Sequence, residues 1–229
     1  MSVNTFEQWT NIYKKEACEG TDHKWPTETL IRLFKGTYVP QMDKNFEGKK
    51  ILDVSCGNGS NLLFLGTIGM EIHGTEVTQE LCDFAKKTLG DLGYKADIRV
   101  GTNKQLPYDD NTFDYLVSWN VIHYENTEED VRAGLAEYRR VLKPGGRFFV
   151  CTAGPKHEVL INSKTLGGHR YEIGREDDFR KGQVFFYFDA PNYIQFYFDA
   201  FFNNVMIGEV CDHLFTKTIN FYLVTGVKA

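Results

Sequence analysis

Lys50-Ile51-Leu52-Asp53-Val54-Ser55-Cys56-Gly57-Asn58-Gly59-Ser60-Asn61 is the stretch whose reading decides the fold. Its opening is a short apolar run that ends near an acidic residue, the pattern of a buried strand. A Gly-x-Gly turn follows, and Leu62-Leu63-Phe64-Leu65 then reads as a helix. Strand, glycine turn and helix in that order form a nucleotide-binding corner, because only glycine lets the backbone come so close to a ligand. Twenty-three residues after Asp53, Ile72 to Val77 reads as a second buried strand. It carries Glu76 near its end, where a carboxylate accepts both hydroxyls of a ribose.

The corner departs from the dinucleotide fingerprint in two ways. Leu62 stands where the third glycine of G-x-G-x-x-G would fall, and Asp53 precedes the turn. A pyrophosphate needs bare backbone N–H groups without a negative charge beside them. A cationic adenosyl ligand tolerates Asp53, so S-adenosylmethionine, with its sulfonium and ammonium and no phosphate, fits better than NAD.

Further along, Leu106-Pro107-Tyr108 precedes Phe113-Asp114-Tyr115-Leu116-Val117, and Leu142-Lys143-Pro144-Gly145-Gly146 follows. Together with Asp53-x-x-x-Gly57-x-Gly59 and Glu76, these motifs resemble the class I S-adenosylmethionine-dependent methyltransferases, in order and spacing, from about Lys50 to Cys151. The resemblance implies an α/β fold: a doubly wound, seven-stranded, mostly parallel sheet with an antiparallel last strand, and N-terminal helices capping the cofactor site. It implies S-adenosyl-L-methionine as cofactor, S-adenosyl-L-homocysteine as product, and contacts from Asp53, Ser55, Gly57, Gly59, Glu76, Val77, Thr102, Asn103 and Asn120. One departure falls at Gly101-Thr102-Asn103, where such enzymes usually carry an acid for the adenine amino group. Thr102 or Asn103 is left to accept that hydrogen bond.

The length of 229 residues suits one α/β domain. Its expected parts are an N-terminal helical cap (1–45), a cofactor-binding core (46–153), a substrate-side insertion (154–190) and a closing helix with strands (191–229). A formal charge of −5 argues against nucleic acid as the main partner, since phosphate backbones demand a basic face. No apolar run approaches the ~20 residues that cross a bilayer, so a soluble, cytoplasmic protein without a membrane partner is expected. Five scattered cysteines without a C-x-x-C pair speak against a disulfide framework or a metal site. Cys56, inside the glycine turn, reads as a small residue tolerated there rather than as a reactive thiol.

Outward from the core, Phe6, Trp9, Ile12 and Tyr13 recur at helical spacing within Val3 to Ala17. Pro26 suits the first turn of a second helix packing through Leu30, Ile31, Leu33 and Phe34. Helices are expected over Thr78 to Leu89 and Glu128 to Val141, and strands over Ala96 to Val100, Tyr115 to Ser118 and Arg147 to Thr152. Gly154 to Gly182 reads as an irregular, charged segment. Gln183 to Phe188 alternates like a strand, and Asp189 is placed to cap a helix from Pro191. Val205 to Val210 and Asn220 to Val227 close the sheet as a hairpin.

Methyl transfer from a sulfonium is a displacement in which the protein chiefly aligns the reactants. His123, expected at the carboxyl edge of the sheet, is the candidate base for an acceptor that arrives protonated. Tyr13, Tyr124 and His123 are candidate substrate contacts. The cluster of His169, Arg170, Arg175, Arg180 and Lys181 suggests guides for an anionic acceptor, with Arg170 and Lys181 foremost, although neighbouring acids can neutralise the same charges. The expectation is methylation of an oxygen or nitrogen on a small molecule, a phosphate, phosphonate, carboxylate or sugar among the acceptors considered. The alternatives are a catalytically silent S-adenosylmethionine-binding regulator and an NAD-dependent oxidoreductase. Oligomeric state is not legible in the sequence.

Overall fold

The computed structural model describes residues 5–19 and 25–229. Helix α1 spans Thr5–Glu19 and α2 spans Glu28–Lys35. The first part of the core follows as β1 (Lys50–Val54), α3 (Ser60–Thr67), β2 (Glu71–Glu76), α4 (Gln79–Asp91) and β3 (Asp97–Val100). Its second part is β4 (Phe113–Trp119), α5 (Glu128–Val141) and β5 (Leu142–Ala153). Val3 and the side chain of Phe6 lie outside the described residues.

The main sheet has the order β3-β2-β1-β4-β5 and ends in two further strands, β10 (Lys217–Val227) and β9 (Asn203–Leu214). β1 runs parallel to both β2 and β4, with Asp53 opposite Gly74 on one side and Val117 on the other. β10 is antiparallel to β5, as expected of the last strand. Chain order reverses between β1 and β4, and the carboxyl ends of those strands therefore open into a crevice.

Alternation along the strands divides the apolar residues between two cores. Ile51, Ile72 and Phe149 face α2, α3 and α4, with Leu30, Phe34, Leu62 and Leu89 among their partners. Leu52, Leu116 and Phe148 face α5 and the chain end, with Leu135, Tyr138 and Phe198. Period-two alternation makes neighbours such as Phe148 and Phe149 serve opposite layers. α4 and α5 begin where the sequence places capping hydroxyls: Thr78 Oγ1 accepts from the Leu81 N–H at 3.3 Å and Thr127 Oγ1 from the Asp130 N–H at 3.1 Å.

Three local expectations are corrected. Pro26 precedes the N-cap of α2, Thr27, instead of sitting in its first turn. Helix α6 (Pro191–Phe198) starts after Ala190 with no side-chain cap. Asp189 instead accepts from Tyr171 Oη at 3.0 Å and lies 3.2 Å from His169 Nδ1. The segment expected to be irregular contains two strands, β6 (Lys164–Gly167) and β7 (Arg170–Glu172), which form a small antiparallel sheet with β8 (Val184–Phe186), where a strand was expected. Gly167, Gly168 and His169 all have positive φ, the backbone of a tight hairpin, which a reading by charge and glycine content takes for loop.

Helix α1 touches α4, the turn after β4 and the loop that joins β7 to β8. Lys14 pairs with Glu80 of α4 at 2.9 Å, while the Trp9 ring meets Phe179 edge-on at 5.0 Å and Tyr124 at 6.0 Å. Among the described residues no helix is long and apolar enough to cross a membrane.

Candidate functional site

Two cavities occupy the crevice, of about 720 and 600 Å³, and they share Trp9, Tyr13, Ser55 and Trp119 as lining. Asp53, Gly57, Asn58 and Asn61 line the smaller one, together with Trp25. Glu76, Val77, Thr102, Asn103 and Asn120 line one part of the larger. Ser55 and Asn120, directly after β1 and β4, have φ of 54° and 60°. Left-handed backbone in non-glycine residues at two strand ends beside a crevice is strain of the kind held at binding sites.

Glu76 is buried at the end of β2. Its Oε1 accepts from the Gly57 N–H at 2.7 Å and its Oε2 from the Val77 N–H at 3.0 Å. Burial nevertheless pushes its pKa up to about 7. Each oxygen keeps acceptor capacity, as a ribose diol requires. Asp53 is only 1% exposed, and its Oδ2 has no hydrogen-bond partner. Burial, and then the neighbouring Glu76, hold its pKa well above the usual carboxylate range. A buried carboxylate with an unpartnered oxygen is costly until a cation or donor reaches it. S-adenosylmethionine fits this set: ribose hydroxyls for Glu76 and a positive charge within the field of both acids, where a pyrophosphate would meet repulsion.

The two glycines of the turn have separate roles. A Cβ at Gly57, whose φ is +60°, would collide with the Tyr13 hydroxyl, so this position holds open the space between the turn and α1. A Cβ at Gly59, with φ of +84°, would instead meet Leu89 of α4 at 3.0 Å. Gly59 serves helix packing and lines neither cavity. Cys56 is buried, with its thiol held well above the ordinary range by burial, which favours a packing role.

Thr102 and Asn103 reach the larger cavity, but the Asn103 amide is already engaged. It donates to Glu125 Oε1 at 2.9 Å and accepts from the Tyr138 hydroxyl, which also meets Ser118 Oγ at 2.8 Å. The amide oxygen expected to read adenine thus belongs to a buried network.

The rest of the larger cavity is aromatic. His123, Tyr124, His157, Phe185 and Phe221 line it beside Trp9. The His123 ring stacks on Phe185 at 4.6 Å, and its Nδ1 lies 3.3 Å from Thr152 Oγ1. Burial, reinforced by Arg180 and His157, lowers its pKa to about 3. Burial likewise lowers that of His157 to about 4. His157 Nδ1 accepts from the Val159 N–H at 3.1 Å, which leaves its proton on Nε2.

Arg170 and Lys181, expected as anion guides, line neither cavity. Lys181 is exposed and paired with Glu176, and Arg170 lies on β7. The cations that do reach the larger cavity are Lys104, paired with Asp130 at 2.7 Å, and Arg180, forked onto Asp178 through Nε at 2.7 Å and Nη2 at 2.6 Å. The turn at 178–181 sends adjacent residues in opposite directions, which a count of basic residues does not resolve. Trp9, Trp119, Asn61, Glu125, His157, Phe185 and Phe221 were not singled out from the sequence as site residues, and Arg180 was named only as one member of the basic cluster, behind Arg170 and Lys181. Helical spacing marks the face of α1 that carries Trp9 beside Tyr13, but nothing local marks Phe185 or Phe221.

Comparison with known proteins agrees with this geometry. Residues 52–150 match the family model described as "Methyltransferase domain". The chain is 33% identical over 119 residues to the demethylmenaquinone methyltransferase of Bacillus subtilis, covering 50% of this chain and 49% of that protein. It is 29% identical over 142 residues to a probable tRNA methyltransferase 9B of Mus musculus, covering 61% and 28%. The chain thus spans about half or less of the curated relatives it matches. Its fold is shared with the PH0226 protein of Pyrococcus horikoshii, at a TM-score of 0.66 and 21% identity over 98% of this chain and 97% of that one. With the ordered motifs, the family match and the two acids at the ends of β1 and β2, residues 52–150 form a methyltransferase domain similar to those of the class I S-adenosylmethionine-dependent methyltransferases.

Proposed function

We propose that this chain methylates an oxygen or nitrogen of a small, uncharged aromatic acceptor held between α1 and residues 154–190. The observation that carries the reading is the shared wall. The pocket gripped by Asp53 and the cavity lined by Tyr124, Phe185 and Phe221 meet along Trp9, Tyr13, Ser55 and Trp119. When bound, S-adenosylmethionine supplies a sulfonium-activated methyl group and leaves as S-adenosylhomocysteine.

The chain's own contribution is placement. Asp53 and Glu76 hold the donor's charge and ribose, while aromatic walls exclude water and orient a flat ring. At the acceptor end Arg180 is neutralised by Asp178, which disfavours an anionic ligand there. His123 is neutral at physiological pH and, at about 3, a weak base. It serves as a positioning wall, and the His157 Nε2–H is available to donate to an acceptor oxygen. The acceptor atom is therefore a nitrogen with a free electron pair, or a phenolic oxygen whose proton passes to solvent without a protein base.

The cavity of about 720 Å³, which the donor's adenosine and the acceptor would share, falls in the range for small-molecule sites, and one relative is named for a quinone acceptor. Another is named for tRNA, so net charge alone does not decide against nucleic acid. The direct test measures S-adenosylhomocysteine release with phenols, catechols and heteroaromatic amines, beside carboxylates, phosphates and bulk tRNA. Turnover with the first group is expected. Turnover confined to tRNA or to the anions overturns the acceptor assignment, and cofactor binding without turnover on any acceptor points to the silent, regulatory alternative.

A further inference from the structure

Glu125 is a buried acid that the cofactor reading has not used. It follows the short 3-10 turn Ile122–Tyr124 after β4, is 9% exposed, and lines the larger cavity beside Thr102, Asn103 and Asn120. Its carboxylate is fixed from below: Asn103 Nδ2 donates to Oε1 at 2.9 Å, and Asn103 is itself held by Tyr138. Lys104 Nζ stands 3.5 Å from Oε2 but is bound more closely to Asp130, at 2.7 Å. Of roughly four lone-pair directions on a carboxylate, about two thus remain for a donor arriving from the cavity.

The end of β3, next to the ribose-binding strand β2, offers only the Thr102 hydroxyl for the base, since the Asn103 amide is engaged. A base extending from a ribose at Glu76 toward β3 meets the loop at residues 102–105, and Glu125 packs against that loop through Asn103. The geometry points to Glu125 as the residue that reads the exocyclic amino group of adenine, supplied from the loop after β4 in place of an acid after β3. This assignment rests on S-adenosylmethionine being the donor. A carboxylate accepts an amino N–H and repels the carbonyl oxygen that hypoxanthine presents at the same position. The site therefore discriminates adenosyl from inosyl ligands through Glu125.

The test is calorimetric titration of the full chain with S-adenosylhomocysteine and with its deaminated analogue, S-inosylhomocysteine. The unaltered protein is expected to prefer the adenosyl ligand by ~10-fold or more. Glu125→Gln, whose amide can both accept and donate, is expected to narrow that preference to within about threefold. Thr102→Val is expected to leave the preference in place. A purely structural Glu125 would change the affinity for both ligands together without changing their ratio, and that outcome overturns the assignment. Equal binding of both ligands by the unaltered protein overturns it as well. Should Glu125→Gln fail to fold, Glu125→Asp takes its place, with the carboxylate drawn back by one methylene, and an unchanged ratio in that variant overturns the assignment. Absence of any S-adenosylhomocysteine binding would instead bring down the cofactor reading itself, and this assignment with it.

Discussion

The two ends of the crevice are built on opposite plans. At the donor end, the carboxylates come from the last residues of consecutive strands and the backbone amides from the turns that follow, and Asp53, Gly57 and Glu76 lie within twenty-four residues of one another. At the acceptor end, uncharged rings are gathered from α1, the turn after β4, the insertion and β10, so that Trp9 and Phe221 converge from near the two ends of the chain. On the function proposed above, the donor end recognises charge and hydroxyls, for which a few fixed polar atoms suffice. The acceptor end recognises shape, which takes many surfaces. The donor end is therefore sensitive to single atoms, and the acceptor end to loss of area.

The sharpest way to break this comparison is at Gly57. Gly57→Ala places a methyl group against the Tyr13 hydroxyl and is expected to lower S-adenosylhomocysteine affinity by ~100-fold or more, with a cooperative melt retained. Gly59→Ala, which meets Leu89 instead, should act on stability, with a left-handed backbone penalty of ~1–2 kcal/mol. Titration and thermal melts of the two variants separate these effects. Equal loss of binding in both would show that the turn acts as one unit.

Glu76→Gln comes next. Removing the charge is expected to weaken S-adenosylhomocysteine ~10–100-fold by calorimetry. Its effect on stability has the opposite sign and depends on pH. The folded protein keeps the Glu76 proton up to about pH 7, whereas the unfolded chain releases it near 4.5. Between those values the folded state binds more protons, so this group makes stability fall as pH rises. The variant should therefore melt above the unaltered protein at pH 8, with the gap closing by about pH 5. A gap independent of pH would show that Glu76 is not titrating in this window.

At the acceptor end, Phe221→Ala removes one half-buried wall and is expected to raise the KM for an aromatic acceptor ~10-fold, with the S-adenosylhomocysteine Kd moving less than about twofold. Steady-state kinetics beside calorimetry reads both values, and a shift in cofactor affinity of similar size would mean that the two ends are not separable. The smallest effect belongs to Lys181→Ala. Its charge is paired with Glu176 at the surface, and turnover and acceptor affinity should change by less than about twofold. A larger loss would restore the anionic-acceptor reading.

The contrast between the two ends also explains what could be read without coordinates. The strand–turn–helix at 50–67 and the carboxylate at Glu76 were legible because their chemistry depends on local spacing and on backbone conformations that few residues adopt. The hairpin at 164–172 was not, because Gly167-Gly168-His169 is compatible with loop and turn alike until its strands find partners. Arg180 and Lys181 are indistinguishable as adjacent basic residues, and only the path of the turn aims one inward.

By itself, then, the sequence determined the parallel sheet, the strand–glycine turn–helix corner and the two acids at the ends of its first strands, since each follows from residues close together in the chain. Only the tertiary structure decided which aromatic rings form the acceptor wall, that burial strips His123 of its basicity, and that Asn103 is taken up by Tyr138 and Glu125. Those properties depend on desolvation and on contacts between residues far apart in the chain, and neither is defined until the chain has folded.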